Sequence, residues 1–156
     1  MSALDGLYQE VILDHAKRRS GEGLAEPVAG HGTGESHQYN PTCGDEITVR
    51  VELAPGDPEA GAEPVVERLT WEGEGCSISM AAASVLAETA GGLTRGELQS
   101  QIDAFRELLR SRGTVAPDEE VLGDAAAFAG VSRFVARVKC AMLGWVAAEE
   151  ALERAC

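Results

Sequence analysis

The side chains best able to do chemistry are four cysteines, Cys43, Cys76, Cys140 and Cys156, with Asp45 two positions after the first of them in "NPTCGDE". A thiolate is both a nucleophile and a soft metal ligand, and a carboxylate adds a harder oxygen donor. An extended backbone through "CGD" would turn residues i and i+2 the same way, putting Cys43 and Asp45 on one edge, with Gly44 leaving room for close approach. Cys43, Asp45, Cys76 and Cys140 together make a four-coordinate set that suits zinc. Their separations along the chain are far longer than those of a CxxC finger, and any one cysteine reads as well as a small buried apolar residue. Spacing alone leaves both readings open.

Cys43, Cys76 and Cys140 each fall where an element is expected to begin. Leu4, Leu7, Tyr8, Val11 and Ile12 form one apolar stripe at helical period, predicting an amphipathic first helix with His15 at its polar end. Glycines and Pro27 remove any period from Gly21 to Gly34, so that stretch is expected to be an extended loop. Alternation then puts Ile47, Val49, Val51 and Leu53 on one face of a strand that starts just after Cys43. A turn-rich "APGDPEAGAEP" leads to a returning strand in "VVERLTWEG", ended by Gly73 and Gly75.

Helical period resumes at Ile78, with Ser77 as the expected N-cap, and Cys76 at that junction would have its thiolate favoured by the helix dipole. Thr94 and Glu97 form a capping-box pair ahead of the stripe Leu98, Ile102, Phe105, Leu108 and Leu109. A short helix follows Asp118 and a break comes near Gly130. The last helix, from about Val138 to Arg154, holds Cys140 in its first turn, where Arg137 and Lys139 also favour a thiolate. This order predicts an α+β fold, a small antiparallel sheet of about three strands with helices on one face. Cys156 is read as an exposed terminal thiol without a function.

The 156 residues fit one domain spanning 1–156. Aromatics make up only 4% of the chain, so small side chains must fill much of the helix packing. Acidic residues outnumber basic ones 26 to 13, and the net charge of −13 repels a phosphate backbone, which argues against a nucleic-acid partner. "MSALDGLYQEVILDH" carries acids where a secretion signal needs bases, and no apolar run reaches the roughly 18 residues of a membrane span. A cytoplasmic protein without membrane association is therefore expected. In that reducing compartment a set of cysteines more often binds metal or does chemistry than forms disulfides.

Taken together, "LYQEVILDH", "NPTCGDEI", "GEGCSISMAAAS" and "RVKCAMLGW" resemble, in order and over nearly the whole chain, the SufU-type branch of the IscU/NifU superfamily of iron-sulfur cluster assembly proteins. The resemblance implies an IscU-like fold and one site made of Cys43, Asp45, Cys76 and Cys140. Two features depart from the scaffold pattern of the superfamily: Lys139 stands where a histidine precedes the third cysteine, and "SRFVARVK" lacks the LPPVK chaperone-recognition motif. The long stretch between Cys76 and Cys140 fits the insertion of the SufU-type branch.

That branch implies a zinc-dependent sulfur acceptor. Cys43 would take persulfide sulfur from a pyridoxal-phosphate cysteine desulfurase of the SufS type and pass it to the downstream SUF assembly machinery, while Asp45, Cys76 and Cys140 retain the zinc. The family further suggests that docking frees Cys43 by ligand exchange, the desulfurase offering a substitute such as histidine. Arg137 matches a basic residue near the family's site, implying support for an anionic site, although a solvated arginine on a helix reads as simply. The alternative is a scaffold that holds a transient iron-sulfur cluster, or iron, on the same ligands. His15, His31 and His37 match no ligand position of the family.

Overall fold

The computed structural model describes residues 3–155, with side chains from Asp5 onward; Cys156 and the side chain of Leu4 lie outside the described residues. The elements run α1 (Ala3–Arg18), β1 (Gly32–Tyr39), β2 (Glu46–Ala54), β3 (Val65–Glu74), α2 (Ser77–Ala90), α3 (Arg95–Arg110) and α4 (Glu119–Leu122). A 3-10 segment (Gly123–Arg133) then leads into α5 (Val135–Arg154). The strands form one antiparallel sheet in the order β1-β2-β3, so the fold is α+β as expected.

Period-two alternation buries Ile47, Val49, Val51 and Leu53 of β2 with Leu69 and Trp71 of β3. Val49 pairs with Trp71 and Val51 with Leu69. On this face, α5 packs over β1 and β2, and α2 over β3. Trp145 of α5 stacks on Phe105 of α3 at 4.1 Å between ring centroids, and Phe128 meets Phe105 edge-on at 5.6 Å. Elsewhere buried alanines such as Ala82, Ala83, Ala147 and Ala148 let the helices approach closely.

Strand β1 begins inside the stretch expected to be a loop, and its inner face explains why. Gly32, Gly34, Ser36 and Gln38 lie opposite the inward residues Leu53, Val51, Val49 and Ile47. A Cβ on Gly34 would stand 1.9 Å from the Ala151 carbonyl oxygen, and one on Gly32 would stand 2.1 Å from that of Ala155. The backbone of α5 therefore rests directly on β1, leaving no room for the apolar side chains that reveal a strand. Ser36 and Gln38 instead hydrogen-bond Glu150 of α5.

Helix α1 is rotated from the expected stripe. Tyr8, Ile12 and Ala16 pack on the core, while Leu7 is 58% exposed. His15 is fully buried rather than at a polar end, with Nδ1 2.8 Å from Ser84 Oγ of α2 and Nε2 2.8 Å from Asp124 Oδ2. These two bonds set the rotation. The capping box of Thr94 and Glu97 starts α3 as expected.

Gly34→Ala is expected to cost about 1–3 kcal/mol, because α5 must shift off the sheet. Gly6→Ala in α1, whose Cβ would meet nothing within 4 Å, should stabilise by about 0.5–1 kcal/mol; urea unfolding reads both. A second expectation concerns Glu149 of α5, which accepts from Arg106 of α3 at 2.7 and 3.1 Å. That bond outweighs burial and holds the Glu149 carboxyl below its ordinary range. A carboxyl depressed in the folded state contributes stability above its unfolded pKa of about 4.3 and loses it as pH falls through the lower folded value. Glu149→Gln should therefore flatten the acid limb of stability against pH, and an unaltered limb would contradict this.

Candidate metal centre

Cys43 and Asp45 arise from the hairpin between β1 and β2. Asn40 organises it: its Oδ1 accepts from the Thr42 amide at 3.0 Å, its carbonyl from the Gly44 amide at 2.8 Å, and its own amide donates to the Asp45 carbonyl at 2.8 Å. Gly44 has φ +78°, in the left-handed region that glycine enters freely. The backbone thus turns at Gly44 rather than running extended through "CGD" as expected. Cys43 is exposed near the tip, whereas Asp45 is 3% exposed. Gly75 leaves Asp45 its seat, since a Cβ there would lie 2.8 Å from the carboxyl carbon.

Cys76, not Ser77, is the N-cap of α2, and its Sγ accepts from the Ser79 amide at 3.5 Å. The Cys76 amide donates to Asp45 Oδ1 at 3.1 Å, and its Sγ lies 3.5 Å from Asp45 Oδ2. Because α5 begins at Val135 rather than near Val138, Cys140 falls in the second turn of the helix. It is buried, with Sγ 3.6 Å from Cys43 Sγ and 3.6 Å from the Ala136 carbonyl oxygen.

Ser79 completes the cluster and was not singled out from the sequence. It is 3% exposed, and its hydroxyl donates to Asp45 Oδ2 while lying 3.2 Å from the Cys140 carbonyl oxygen and 3.5 Å from Cys76 Sγ. The available signal was its place three residues after the N-cap, a polar side chain in the first turn of a helix otherwise rich in alanine.

Burial alone would push the Asp45 carboxyl up. Hydrogen bonds from Ser79, Cys43, the Cys76 amide and Cys140 outweigh burial and hold it below the ordinary carboxylate range. Burial pushes the Cys140 thiol well up, and its hydrogen bond with Cys43 and the charge of Cys76 add to this. That is opposite to the thiolate expected of a first-turn position: Cys140 faces inward, while Arg137 and Lys139 are exposed. A cation among the sulfurs reverses the balance.

The geometry suits such a cation. Ligand atoms of Cys43, Asp45 and Cys140 lie within 4.8 Å of one another; Cys76 is outside this group, with its Sγ 3.5 Å from Asp45 Oδ2. A tetrahedron with sulfur arms of about 2.3 Å has an S–S edge of about 3.8 Å, close to the 3.6 Å between Cys43 and Cys140. The donor set fits zinc or another borderline-soft divalent ion.

A second group, His15, Glu88 and Asp124, also converges, but its cation is already present. Arg18 lies 2.9 Å from Glu88 and 3.1 Å from His15 Nε2. His31 and His37 are engaged elsewhere on the sheet, with Glu52 and Thr48. An open cleft of about 810 Å³ fronts Cys43, Cys76 and Cys140 and is also lined by Ile78, Arg137 and Lys139. The Arg137 guanidinium sits 5.1 Å over the Phe134 ring at that cleft.

Residues 7–152 match the family model of the NifU-like N terminal domain. The chain belongs to this family, within the IscU/NifU superfamily. It is 37% identical over 151 residues to the zinc-dependent sulfurtransferase SufU of Bacillus subtilis, covering 97% of this chain and 92% of that one. It is 34% identical over 155 residues to the iron-sulfur cluster assembly scaffold protein IscU of Streptococcus pyogenes, covering 99% and 87%. Among solved structures, the N-terminal part of a nitrogen-fixing NifU-like protein from Brucella abortus superposes with a TM-score of 0.76 at 27% identity, covering 98% of this chain and 96% of that one. A SUF-system scaffold protein from Fervidobacterium islandicum gives 0.70 at 29%, covering 92% and 94%. These relatives give the NifU-like chain a role in iron-sulfur cluster assembly. Among the described residues, no helix is long and apolar enough to cross a membrane.

Gly44 supplies a matched test of the hairpin. Gly44 and Gly61 have φ +78° and +70°, and neither Cβ would meet an atom within 4 Å. Alanine at either position should cost about 1–2 kcal/mol through the left-handed backbone alone. With zinc added as a probe ion, only Gly44→Ala should weaken its retention in chelator competition; equal retention in the two variants would show that the turn does not position Cys43 and Asp45.

Proposed function

We propose that this NifU-like chain is a zinc-dependent sulfur acceptor, taking persulfide sulfur on Cys43 from a SufS-type cysteine desulfurase and passing it to the SUF assembly machinery. Cys43, Asp45, Cys76 and Cys140 hold the zinc, which keeps thiols deprotonated at neutral pH.

The observation that carries this reading is an unequal bracing of the four ligands. Asp45 is held by the Cys76 amide and Ser79, Cys76 Sγ by the Ser79 amide, and Cys140 by its burial in the second turn of α5. Cys43 and Cys76 are both exposed at the cleft, but Cys76 Sγ accepts from a backbone amide, whereas among the described residues no backbone group bonds the Cys43 sulfur. Cys43 is the ligand best able to leave and meet a partner. A partner's histidine entering the cleft would take its place in the set.

Once free, the Cys43 thiolate attacks the outer sulfur of the donor's persulfide. A new S–S bond forms at Cys43, the donor's S–S bond breaks, and the donor cysteine leaves as a thiolate. The transferred sulfur carries its own oxidation level, so no oxidant is consumed. Arg137, at the same cleft, offers a fixed charge to the anionic sulfur. Lys139, in place of a histidine before Cys140, and the zinc-dependent sulfurtransferase among the relatives both favour this reading.

The scaffold names of other relatives favour a second reading, in which a transient iron-sulfur cluster assembles on the same ligands. Metal analysis paired with a desulfurase turnover assay separates the two. The acceptor should carry about one zinc per chain, and Cys43→Ala should stay folded yet lose all stimulation of the desulfurase. Full stimulation by Cys43→Ala would sink the acceptor reading, and a reconstituted cluster that moves to an apo-protein would favour the scaffold.

A further inference from the structure

Asp45 is the odd member of the ligand set. A carboxylate oxygen is harder than a thiolate, so donor chemistry alone makes Asp45 the ligand that an incoming nitrogen base displaces first from zinc. Exchange at Asp45 would leave Cys43 bound and unable to attack. The fold must therefore oppose the chemical preference if Cys43 is to be the one released.

We propose that Ser79 is the positioning residue that decides which ligand exchanges, locking Asp45 in place so that Cys43 is released. The proposal rests on the metal-bound acceptor reading above. Ser79 has one hydroxyl proton and two acceptors in reach, Asp45 Oδ2 and the Cys140 carbonyl oxygen at 3.2 Å. The charged acceptor makes the stronger bond, so the proton goes to Asp45. At 3% exposure, no solvent competes for it. The other carboxylate oxygen, Oδ1, is taken by the Cys76 amide, so neither oxygen can swing away without breaking a hydrogen bond.

The same residue reaches two further ligands. Its amide donates to Cys76 Sγ and its hydroxyl oxygen lies 3.5 Å from that sulfur, so one side chain at the start of α2 touches Asp45, Cys76 and the backbone of Cys140. Cys43 alone of the four has no hydrogen bond with it among the described residues. The missing Cβ at Gly75 is what gives Asp45 this seat, since an added Cβ would lie 2.8 Å from its carboxyl carbon.

The test uses the zinc-loaded full chain, with imidazole standing in for an incoming histidine. A brief pulse of iodoacetamide follows, and labelled cysteines are mapped by peptide mass spectrometry. In the wild type, imidazole should speed labelling of Cys43 over Cys76 and Cys140. Ser79→Ala should lose most of that acceleration, and its zinc affinity in chelator competition should fall about 10–100-fold. Ser79→Thr, which keeps the hydroxyl, should restore both, and thermal unfolding checks that each variant is folded.

Weaker zinc binding in Ser79→Ala with Cys43 still selectively released would overturn the proposal, as would identical behaviour of the two proteins. Loaded wild-type protein that releases its cysteines without preference would overturn it without reference to any variant. A wild-type chain that binds no zinc would instead defeat the acceptor reading itself.

Discussion

The contact on which the arrangement depends is that of the α5 backbone with the glycine face of β1. The carbonyls of Ala151 and Ala155 lie where side chains of Gly34 and Gly32 would otherwise stand, so helix and strand have one relative height. From Ala151 back to Cys140 the helix climbs about 17 Å at 1.5 Å per residue. From Gly34 to Tyr39 the strand climbs about 17 Å at 3.3 Å per residue. The two ascents end together, which brings Cys140 to the hairpin that carries Cys43 and Asp45. Residues nearly a hundred positions apart thus meet because a strand gave up its inward side chains.

The third arm is set by a different device. Strand β3 pairs with β2 as far as Glu74, opposite Glu46, so the chain leaves the sheet beside the hairpin and enters α2 within two residues. Cys76 can then cap α2 with its sulfur while its amide holds Asp45. A cap filled by sulfur is weaker than one filled by a hydroxyl oxygen, but it fixes the direction in which that sulfur points. Helix initiation and ligand placement are here one interaction.

These devices explain what could be read from the sequence. Strands β2 and β3 and the stripe of α3 were legible because their side chains bury against the core at a regular period. Strand β1 was not, because backbone rather than side chains fills its inner face. The ligand residues stood out as residue types within recognisable motifs, but their geometry did not follow from pleat alternation, since Gly44 enters the left-handed region. Ser77 looked the better cap only because sulfur is a poor one in general. His15 read as the polar end of a helix because nothing in α1 itself announces Ser84 and Asp124, which arrive from distant parts of the chain. Ser79 escaped for the same reason: a serine in an alanine-rich helix acquires meaning only when Asp45 is seen beside it.

The unequal exposure of the ligands bears on carriage against scaffolding. A scaffold must present several ligands together to an incoming cluster and later release them together, so a set of similarly accessible side chains serves it. A sulfur carrier needs one mobile thiol and a remainder that keeps the ion while the thiol is away. In this chain backbone amides reach Asp45 and Cys76, Cys140 is buried, and the turn at Gly44 carries Cys43, whose sulfur no backbone group bonds among the described residues, to the cleft beside Arg137. Ligand hardness would have loosened the carboxylate first, so the buried hydroxyl and the amide on Asp45 work against the intrinsic order of exchange. The distribution of braces, more than the identity of the ligands, is what favours the acceptor reading over the scaffold reading proposed above.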